Sequence, residues 1–283
     1  SVSPLNFEMK LKNYYVEEVF FCIPRNITKK GFRIDPYLQT CEEMGRPARV
    51  FLNILNSTYF AKWEYQDFID YPTLTSNTAE LDPDQVVFKR IFDIFISIFG
   101  LGILILIYPV LFILIKLTSK GPVFFRQIRV GKNGKRFVIY KFRSMYIYAE
   151  KRKNDLKKQN ELKGAIFKIK NDPRVTSIGK IIRRFSIDEL PQFINVIKGE
   201  MSIVGTRPPT PEEVSEYQKW HHRRISIKPG ITGMWQVSGR NAIKDFDEIV
   251  KLDLKYIDLW SIWLDIVIII KTLFIIFKKD NAY

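Results

Sequence analysis

The sequence contains little cysteine and little histidine. Only Cys22 and Cys41 occur among 283 residues, without the spacing of a disulfide framework or a zinc site. The two histidines, His221 and His222, lie in the basic run KWHHRR at 219–224 and also lack metal-ligand spacing. We therefore expect no disulfide-stapled or zinc-dependent protein, a reducing cytosol around the folded parts, and structural or interface roles for the histidines.

Acidic residues are scarce in one part of the chain. Residues 116–184 hold 21 Lys and Arg against 4 Asp and Glu, so the overall charge of +15 resides in this block and the rest is close to neutral. Such a block could bind nucleic acid, anionic lipid headgroups or a phosphorylated substrate. Helix-turn-helix, zinc-finger and RRM signatures are absent, and the block follows a long apolar segment. This position favours a membrane surface over nucleic acid.

Residues 1–62 lack a glycine-rich phosphate loop. The run YVEEVFFCI at 15–23 predicts a buried strand, 37–44 a helix and 49–52 a second strand. The chain starts with Ser1 inside this α/β pattern and shows no signal peptide, so we expect a fragment of an α/β nucleotide-fold domain without chemistry of its own.

The next segments differ sharply in composition. Residues 63–87 contain scattered prolines and little periodicity, which predicts a linker. Ile91–Ile115 is almost wholly apolar and would extend ~37 Å as a helix, enough to cross a bilayer. Basic residues on both flanks and a break at Pro109 favour a re-entrant hairpin instead. The residues alone leave spanning and re-entry equally open.

A second apolar stretch, Ile262 to Phe277, is short for a membrane span. Trp260 and Trp263 stand at its start and two lysines follow its end, a composition typical of a helix in the headgroup interface. An ordinary buried core helix is the alternative.

The densest polar cluster is IRRFSIDELPQF at 182–193, in which Asp188 and Glu189 follow two arginines. One explanation is structural, because Ser186 and Glu189 have the spacing of a helix capping box. However, the loops GTRPP at 205–209 and PGITG at 229–233 suit anion binding, since glycine lets backbone N–H groups approach phosphate and arginine offers planar donors. Candidate phosphate ligands are Lys141, Arg183, Arg207 and Arg240, with Arg143 and Arg184 as weaker alternatives.

Taken together, the order of these motifs resembles one family, the bacterial sugar transferases that act as polyprenyl-phosphate phosphoglycosyl transferases. The resemblance covers roughly residues 88–279 and rests on KRIFD at 89–93, GPVFFRQIRVGKNGKRF at 121–137, YKFRSM at 140–145, FKIKNDPRVTSIGKIIRRFSIDELPQFINVIKGEMSIVGTRPP at 167–209 and KPGITGMWQVSGR at 228–240. Two positions depart from the family pattern: Tyr108 stands where Ser is frequent and Thr206 where Pro is usual.

The resemblance implies an α+β fold, mostly helical with a small sheet, that is membrane-associated through a re-entrant helical hairpin at 88–118. The catalytic domain would occupy 119–283 and end in an interfacial helix, at the cytoplasmic face of the bacterial inner membrane. Long family members carry a membrane bundle and a nucleotide-fold domain ahead of it. Residues 1–62 are similar to the end of that middle domain, so we expect an N-terminally truncated long member.

The resemblance also implies a reaction. A sugar-1-phosphate would pass from a UDP-sugar to undecaprenyl phosphate, which releases UMP and starts exopolysaccharide or O-antigen assembly. Asp188 would attack the β-phosphorus to form a covalent aspartyl phosphosugar, and Glu189 would bind Mg²⁺. Membrane lipids are expected partners, as is a second copy of the chain in a homodimer; the sugar stays open. Two alternatives are a ternary complex without a covalent intermediate and a non-enzymatic basic membrane anchor or recruitment module.

Overall fold

The computed structural model describes residues 3–22, 33–51, 64–68, 71–76, 83–149, 172–239 and 245–277, with isolated positions at 152, 155–156, 160–161, 164, 166–167, 169 and 243. Within these residues the chain is mostly helical with small sheets, which confirms that part of the predicted fold class.

The N-terminal part is a small α/β unit. Helix α1, Pro4–Asn13, precedes strand β1, Val19–Cys22; helix α2, Asp35–Glu43, then leads to strand β2, Ala48–Phe51. Strands β1 and β2 pair in parallel, an arrangement that needs a crossover connection such as α2. The order strand, helix, strand agrees with the sequence prediction.

The predicted linker at 63–87 is wrong. Strand β3, Glu64–Phe68, and strand β4, Tyr71–Ser76, form an antiparallel pair, and β4 also pairs with β2. The sheet order is β1-β2-β4-β3. Local periodicity misses these strands because β4 is stabilised by pairing with β2, which is distant in sequence, and because a proline inside β4 argues against a strand.

Helix α3, Pro83–Thr118, is 36 residues long and begins within the predicted linker. Proline suits the first helical position because its missing N–H has no partner there. Of the described helices, α3 is the one long and apolar enough to cross a membrane. It continues through Pro109, so the break expected at that residue is absent. A proline removes only one backbone hydrogen bond, and the rest of this apolar helix supplies the others.

Both ends of α3 contact the same folded domain. Near its start, Lys89 donates to the Val204 carbonyl over 3.1 Å and forms an ion pair with Asp265. Beyond its end, Arg143 donates to the Ser119 and Lys120 carbonyls over 2.6 and 3.3 Å. The two ends of this helix are therefore attached to one body of protein.

Between these ends, α3 has a buried face and an exposed face. Leu104, Leu111 and Ile115 pack against the domain core beside Phe142 and Ile182. The opposite face exposes large apolar side chains, among them Phe95, Phe99, Ile105, Leu106, Val110 and Leu117. An exposed apolar surface of this length marks a contact with a membrane or another protein.

The remaining elements form the domain that α3 covers. Strands β5, Phe124–Val130, and β6, Arg136–Phe142, make an antiparallel hairpin, whereas β7, Ser202–Val204, and β8, Gly230–Thr232, pair in parallel. The helices are α4 Ser177–Arg184, α5 Gln192–Ile197, α6 Pro211–Ser215, α7 Met234–Val237, α8 Phe246–Asp258 and α9 Ile262–Phe277. Their main core gathers Val196, Met201, Ile203, Tyr256, Ile257 and Ile268.

Helix α9 joins this core with one face only. Ile268 is buried, while Trp263, Phe274 and Phe277 are exposed. The buried Asp265 accepts hydrogen bonds from the Tyr256 hydroxyl at 2.7 Å and the Trp260 indole at 3.3 Å. The acidic residue inside the apolar stretch is thus a polar link to α8 and α3, and the exposed apolar face suits the predicted interfacial position.

Candidate active site

A cavity of about 340 Å³ opens where β6, the start of α5 and the loops after β7 and β8 meet. Several sequence motifs that lie far apart along the chain converge on it. Its wall includes Arg129, Lys141, Asp172, Arg174, Lys180, Arg183, Ser186, Asp188, Glu189, Gln192, Arg207, Trp235 and Gln236.

The adjacent carboxylates lie on a 3-10 turn, Ile187–Glu189, between α4 and α5. Asp188 is 7% exposed and Glu189 is half-buried, and both line the cavity. Ser186 before them has a φ of 53° in the left-handed region, which non-glycine residues adopt rarely and mostly under constraint from their surroundings. Helix α5 begins only after the turn, with Pro191 as its N-cap residue.

The capping-box explanation of this motif is wrong. An N-cap residue has extended backbone and a side chain that accepts from the first turn, but Ser186 is left-handed and makes no such hydrogen bond. The positions of Asp188 and Glu189 are therefore not explained as the first turn of a capped helix.

Lys141 on β6 connects the β-hairpin to the acidic turn. Its Nζ lies 2.7 Å from Glu189 Oε1, and both side chains are about one-fifth exposed at the cavity wall. Charge-assisted contacts of this kind hold both groups in place. Two predicted site residues that are 48 positions apart are thus direct neighbours.

Arg183 and Arg207 also reach the cavity, as the sequence predicts. Arg183 Nε donates to the Ser144 hydroxyl over 2.9 Å. Arg207 pairs in bidentate fashion with Glu213, over 3.0 and 3.2 Å. Burial alone would lower the pKa of Arg207 and raise that of Glu213, but their mutual attraction shifts both pKa values the opposite way. Both groups therefore remain charged.

Two other predicted phosphate ligands, Arg143 and Arg184, do not line the cavity. Arg143 is buried and holds the carbonyls after α3. Arg184 is exposed over the Phe185 ring, because one helical step of about 100° turns it away from Arg183. The predictions that Arg143 and Arg184 are phosphate ligands are therefore corrected. Another predicted phosphate ligand, Arg240, lies outside the described residues.

The cavity also contains charged residues that the sequence analysis did not single out. Arg129 on β5 donates to the Pro208 carbonyl over 2.9 Å. Asp172 and Arg174 form an ion pair of 2.6 Å, and Lys180 lies at the rim. Burial would raise the pKa of Asp172, but its hydrogen bonds with Arg174 lower it below the usual range. All four residues lie within the sequence motifs that resemble the family, and the sequence offered no other indication that they line the cavity.

The charge balance of the wall is positive. Six cationic side chains and three carboxylates line the described part of the cavity, a formal excess of three positive charges. The cationic residues are Arg129, Lys141, Arg174, Lys180, Arg183 and Arg207. A concave site with this excess attracts anions such as a diphosphate.

The carboxylate oxygens of the cavity wall suit a magnesium ion. The described residues contain no group of three or more His, Cys, Asp or Glu that could enclose a metal ion. Mg²⁺ is usually bound by one or two carboxylates with substrate phosphates and water, so the adjacent Asp188 and Glu189 suit it. The histidines lie elsewhere: His221 is buried, with its Nε2 3.1 Å from Asp247.

Comparison with known proteins identifies the family of the domain that contains this cavity. The family model described as bacterial sugar transferase matches residues 84–279, more than two thirds of the chain. The chain belongs to the bacterial sugar transferase family. The match runs from the first turn of α3 to the residues after α9 and includes every wall residue of the cavity.

Individual relatives are similar over most of the chain. It is 45% identical over 268 residues to the galactosyl transferase CpsE of Streptococcus agalactiae, covering 94% of this chain and 59% of the relative. It is 43% identical over 201 residues to the undecaprenyl-phosphate galactose phosphotransferase of Salmonella typhimurium, covering 69% and 41%. With the UDP-glucose:undecaprenyl-phosphate glucose-1-phosphate transferase of Klebsiella pneumoniae it shares 39% over 254 residues, covering 86% and 50%. The chain thus spans about half the length of these relatives.

Proposed function

We propose that the chain is a phosphoglycosyl transferase that moves a sugar-1-phosphate from a UDP-sugar to undecaprenyl phosphate and releases UMP. The observation that supports the proposal is a buried carboxylate, Asp188, in a cavity whose wall carries a formal excess of positive charge. The activities for which the relatives are named, undecaprenyl-phosphate galactose phosphotransferase and UDP-glucose:undecaprenyl-phosphate glucose-1-phosphate transferase, support the substrate class. The product would begin an exopolysaccharide or O-antigen-type glycan.

In the first step, an Asp188 carboxylate oxygen attacks the β-phosphorus of the UDP-sugar. A new P–O bond forms, the bond to the bridging oxygen breaks, and UMP departs with the electron pair. In the second step, a phosphate oxygen of the lipid attacks the same phosphorus and releases the carboxylate. Like charges 4 Å apart repel by ~4 kcal/mol at an effective dielectric of ~20, so the attack requires charge neutralisation. Lys141, Arg183 and Arg207 provide it from the wall.

Glu189 would hold Mg²⁺ together with the substrate diphosphate. The bound ion would neutralise phosphate charge and stabilise the leaving UMP. Lys141 contacts Glu189 and positions this carboxylate at the wall. Removal of divalent ions with a chelator should abolish UMP release, and added Mg²⁺ should restore it; release that is unaffected by the chelator would contradict this role.

We further propose that the domain attaches to the cytoplasmic face of the bacterial cell membrane without crossing it. Support comes from α3, whose two ends contact one domain while its outer face is apolar, and from the exposed apolar side chains of α9. A helix that crossed a bilayer would separate its ends by ~30 Å of hydrocarbon. The predicted re-entrant hairpin at 88–118 is not formed, because α3 continues through Pro109 without a turn, and the proposed attachment is instead a shallow insertion of the outer face of α3.

The direct test is UMP release by detergent-solubilised protein with Mg²⁺, undecaprenyl phosphate and a panel of UDP-sugars. We expect release with at least one donor, its loss in Asp188→Asn, and normal release in Asp245→Asn. The control makes the same chemical change at the exposed N-cap of α8, where Asn caps equally well. Equal release by Asp188→Asn would contradict the proposed role, whereas no release with any donor by folded protein would favour a non-enzymatic membrane anchor.

A further inference from the structure

Thr206 occupies a position where the family pattern usually has proline, and the mechanism above does not use it. The residue lies just after β7 and directly precedes Arg207 of the cavity wall. It is 1% exposed, and its hydroxyl donates to the Arg224 carbonyl over 2.8 Å. Proline has no hydroxyl and could not form this hydrogen bond. The bond is thus a feature in which this chain departs from the family pattern.

Backbone hydrogen bonds attach this loop to β8. The Gly205 N–H donates to the Thr232 carbonyl over 2.9 Å, and the Gly230 N–H donates to the Thr206 carbonyl over 2.8 Å. A Cβ at Gly205 would lie 2.7 Å from the Gly230 nitrogen, so the two segments approach very closely. These contacts fix residues 205 and 206 on one side, but they include no atom of Arg207.

The Arg224 carbonyl is a firmly held anchor for the other side. Arg224 belongs to the 3-10 segment Lys219–Ile225 and is fully buried. Its Nε donates to Asp253 of α8 over 2.9 Å, and a terminal guanidinium nitrogen donates to the Tyr217 hydroxyl over 2.6 Å. Moving a buried charge away from its partners is costly, because the charge is then uncompensated. The segment therefore holds this carbonyl in a fixed place beside the loop that carries Arg207.

Arg207 requires such support because its surroundings partly oppose its charge. Burial lowers the pKa of Arg207, the attraction of Glu213 raises it above the usual range, and the charge of Arg224 acts against that rise. Two neighbouring cations repel each other, and Glu213 restrains only the guanidinium end of Arg207. The Thr206 hydroxyl restrains the other end, because it holds the backbone next to Arg207.

We infer that Thr206 is a positioning residue for Arg207. Its hydroxyl ties the loop to the segment Lys219–Ile225 and so holds the Arg207 guanidinium at the cavity wall, where it meets the diphosphate of the donor. The inference rests on the proposed function, in which Arg207 neutralises phosphate charge. Proline restricts the backbone through its ring, which fixes φ. In this chain a side-chain hydrogen bond provides the restraint instead.

The test measures the binding of inorganic pyrophosphate to the solubilised full chain by titration calorimetry, together with KM and kcat for a UDP-sugar. Thr206→Val keeps the size of the side chain but removes the hydroxyl, whereas Thr206→Ser keeps the hydroxyl. We expect Thr206→Val to weaken pyrophosphate binding and to raise the KM about fivefold, with less than about a twofold change in kcat, since one positioning hydrogen bond is lost. Thr206→Ser should behave as the unchanged protein does.

Thr40→Val is the matched control. Thr40 is also buried, at 3% exposed, and its hydroxyl donates to the Pro36 carbonyl over 2.7 Å within α2. The control removes the same kind of hydrogen bond from the N-terminal unit. It should lower the melting temperature without changing pyrophosphate binding or the KM.

Three results would overturn the inference. They are pyrophosphate binding that Thr206→Val leaves unchanged, equal losses in Thr206→Val and Thr206→Ser, and equal losses in Thr206→Val and Thr40→Val. If Thr206→Val does not fold, Thr206→Ala makes the same comparison and leaves room for water at the carbonyl. Folded protein that binds pyrophosphate but turns over no UDP-sugar would count against the proposed function, and the pyrophosphate affinities of the variants would still decide the inference.

Discussion

At the scale of single residues, the Arg207–Glu213 pair connects a cavity residue to the fold. Glu213 also completes a capping box on α6, in which its carboxylate accepts from the Thr210 N–H and the Thr210 hydroxyl accepts from the Glu213 N–H. The pair leaves further guanidinium N–H groups of Arg207 for a phosphate. The Glu213 carboxylate therefore both positions Arg207 and caps helix α6.

These roles can be separated by mutation. Glu213→Gln removes the charge that holds Arg207, and we expect the KM for the UDP-sugar to rise about tenfold with a smaller change in kcat. Thr210→Ala breaks the cap and should lower the melting temperature while the KM stays unchanged. Glu212→Gln makes the same charge change at an exposed neighbour and serves as the control. Parallel changes in KM and stability in all three variants would contradict the positioning role.

Which basic residues reach the cavity could be predicted only in part. Lys141, Arg183 and Arg207 were predicted from motifs and do line the wall. Arg143 and Arg184 belong to the same motifs but face elsewhere. Arg184 is one helical step from Arg183, and Arg143 lies beyond the end of β6, where it donates to the Ser119 and Lys120 carbonyls. The ion pair of Asp172 and Arg174 joins residues two positions apart, but its place in the cavity wall depends on packing that no local pattern reports.

At the scale of elements, α3 contains two glycines with different surroundings. A Cβ at Gly100 would overlap the Phe193 ring of α5, whereas a Cβ at Gly102 would meet no atom within 4 Å. Gly100 therefore permits the close approach of the two helices. Gly102 does not have this role.

Gly100→Ala and Gly102→Ala should thus differ in their effect on stability. Overpacking costs about 1–3 kcal/mol, which exceeds the ~1 kcal/mol that alanine contributes to helix propensity, so we expect Gly100→Ala to lower the melting temperature. Gly102→Ala has no clash and should leave it unchanged or raise it. Thermal unfolding in one detergent measures both, and equal effects would contradict the packing described for α3.

The elements were predictable to different degrees. Hydropathy predicts α3 and α9, because a long apolar run has few other structures available. It could not distinguish a straight helix from a hairpin, since a proline lowers helix stability at one position without excluding a helix. Strands β3 and β4 were missed, because β3 pairs with β4 and β4 in turn pairs with β2, which is a non-local interaction.

At the scale of the whole molecule, the N-terminal unit docks on the domain that α3 covers, through the 3-10 segment Lys219–Ile225. Lys219 forms an ion pair of 2.9 Å with Glu43 of α2, and the Asn133 amide donates to the Glu17 carbonyl over 3.4 Å. His222 is buried in this segment. The assignment of both histidines to structural roles is consistent with these contacts.

This interface should respond to acid. Burial, followed by the charges of Lys12, Arg46 and His221, lowers the pKa of His222 to about 4, although Glu8 opposes the shift. The folded state therefore keeps His222 neutral while the unfolded chain protonates it near pH 6.5. The contribution to stability is complete above pH 6.5 and is lost as pH falls towards 4, by on the order of 2–3 kcal/mol. Thermal unfolding between pH 7 and 4 should show a steeper loss than in His222→Gln; identical slopes would contradict this assignment.

The central claim is that Asp188 carries the sugar phosphate during transfer. The most direct measurement is mass spectrometry of the intact protein after incubation with Mg²⁺ and its UDP-sugar, without lipid acceptor. We expect one phosphosugar per chain, located on Asp188, absent in Asp188→Asn, and discharged when undecaprenyl phosphate is added. A protein that turns over when lipid is present, but without lipid traps no adduct and releases no burst of UMP, would contradict the covalent intermediate. Direct transfer in a ternary complex would then be favoured.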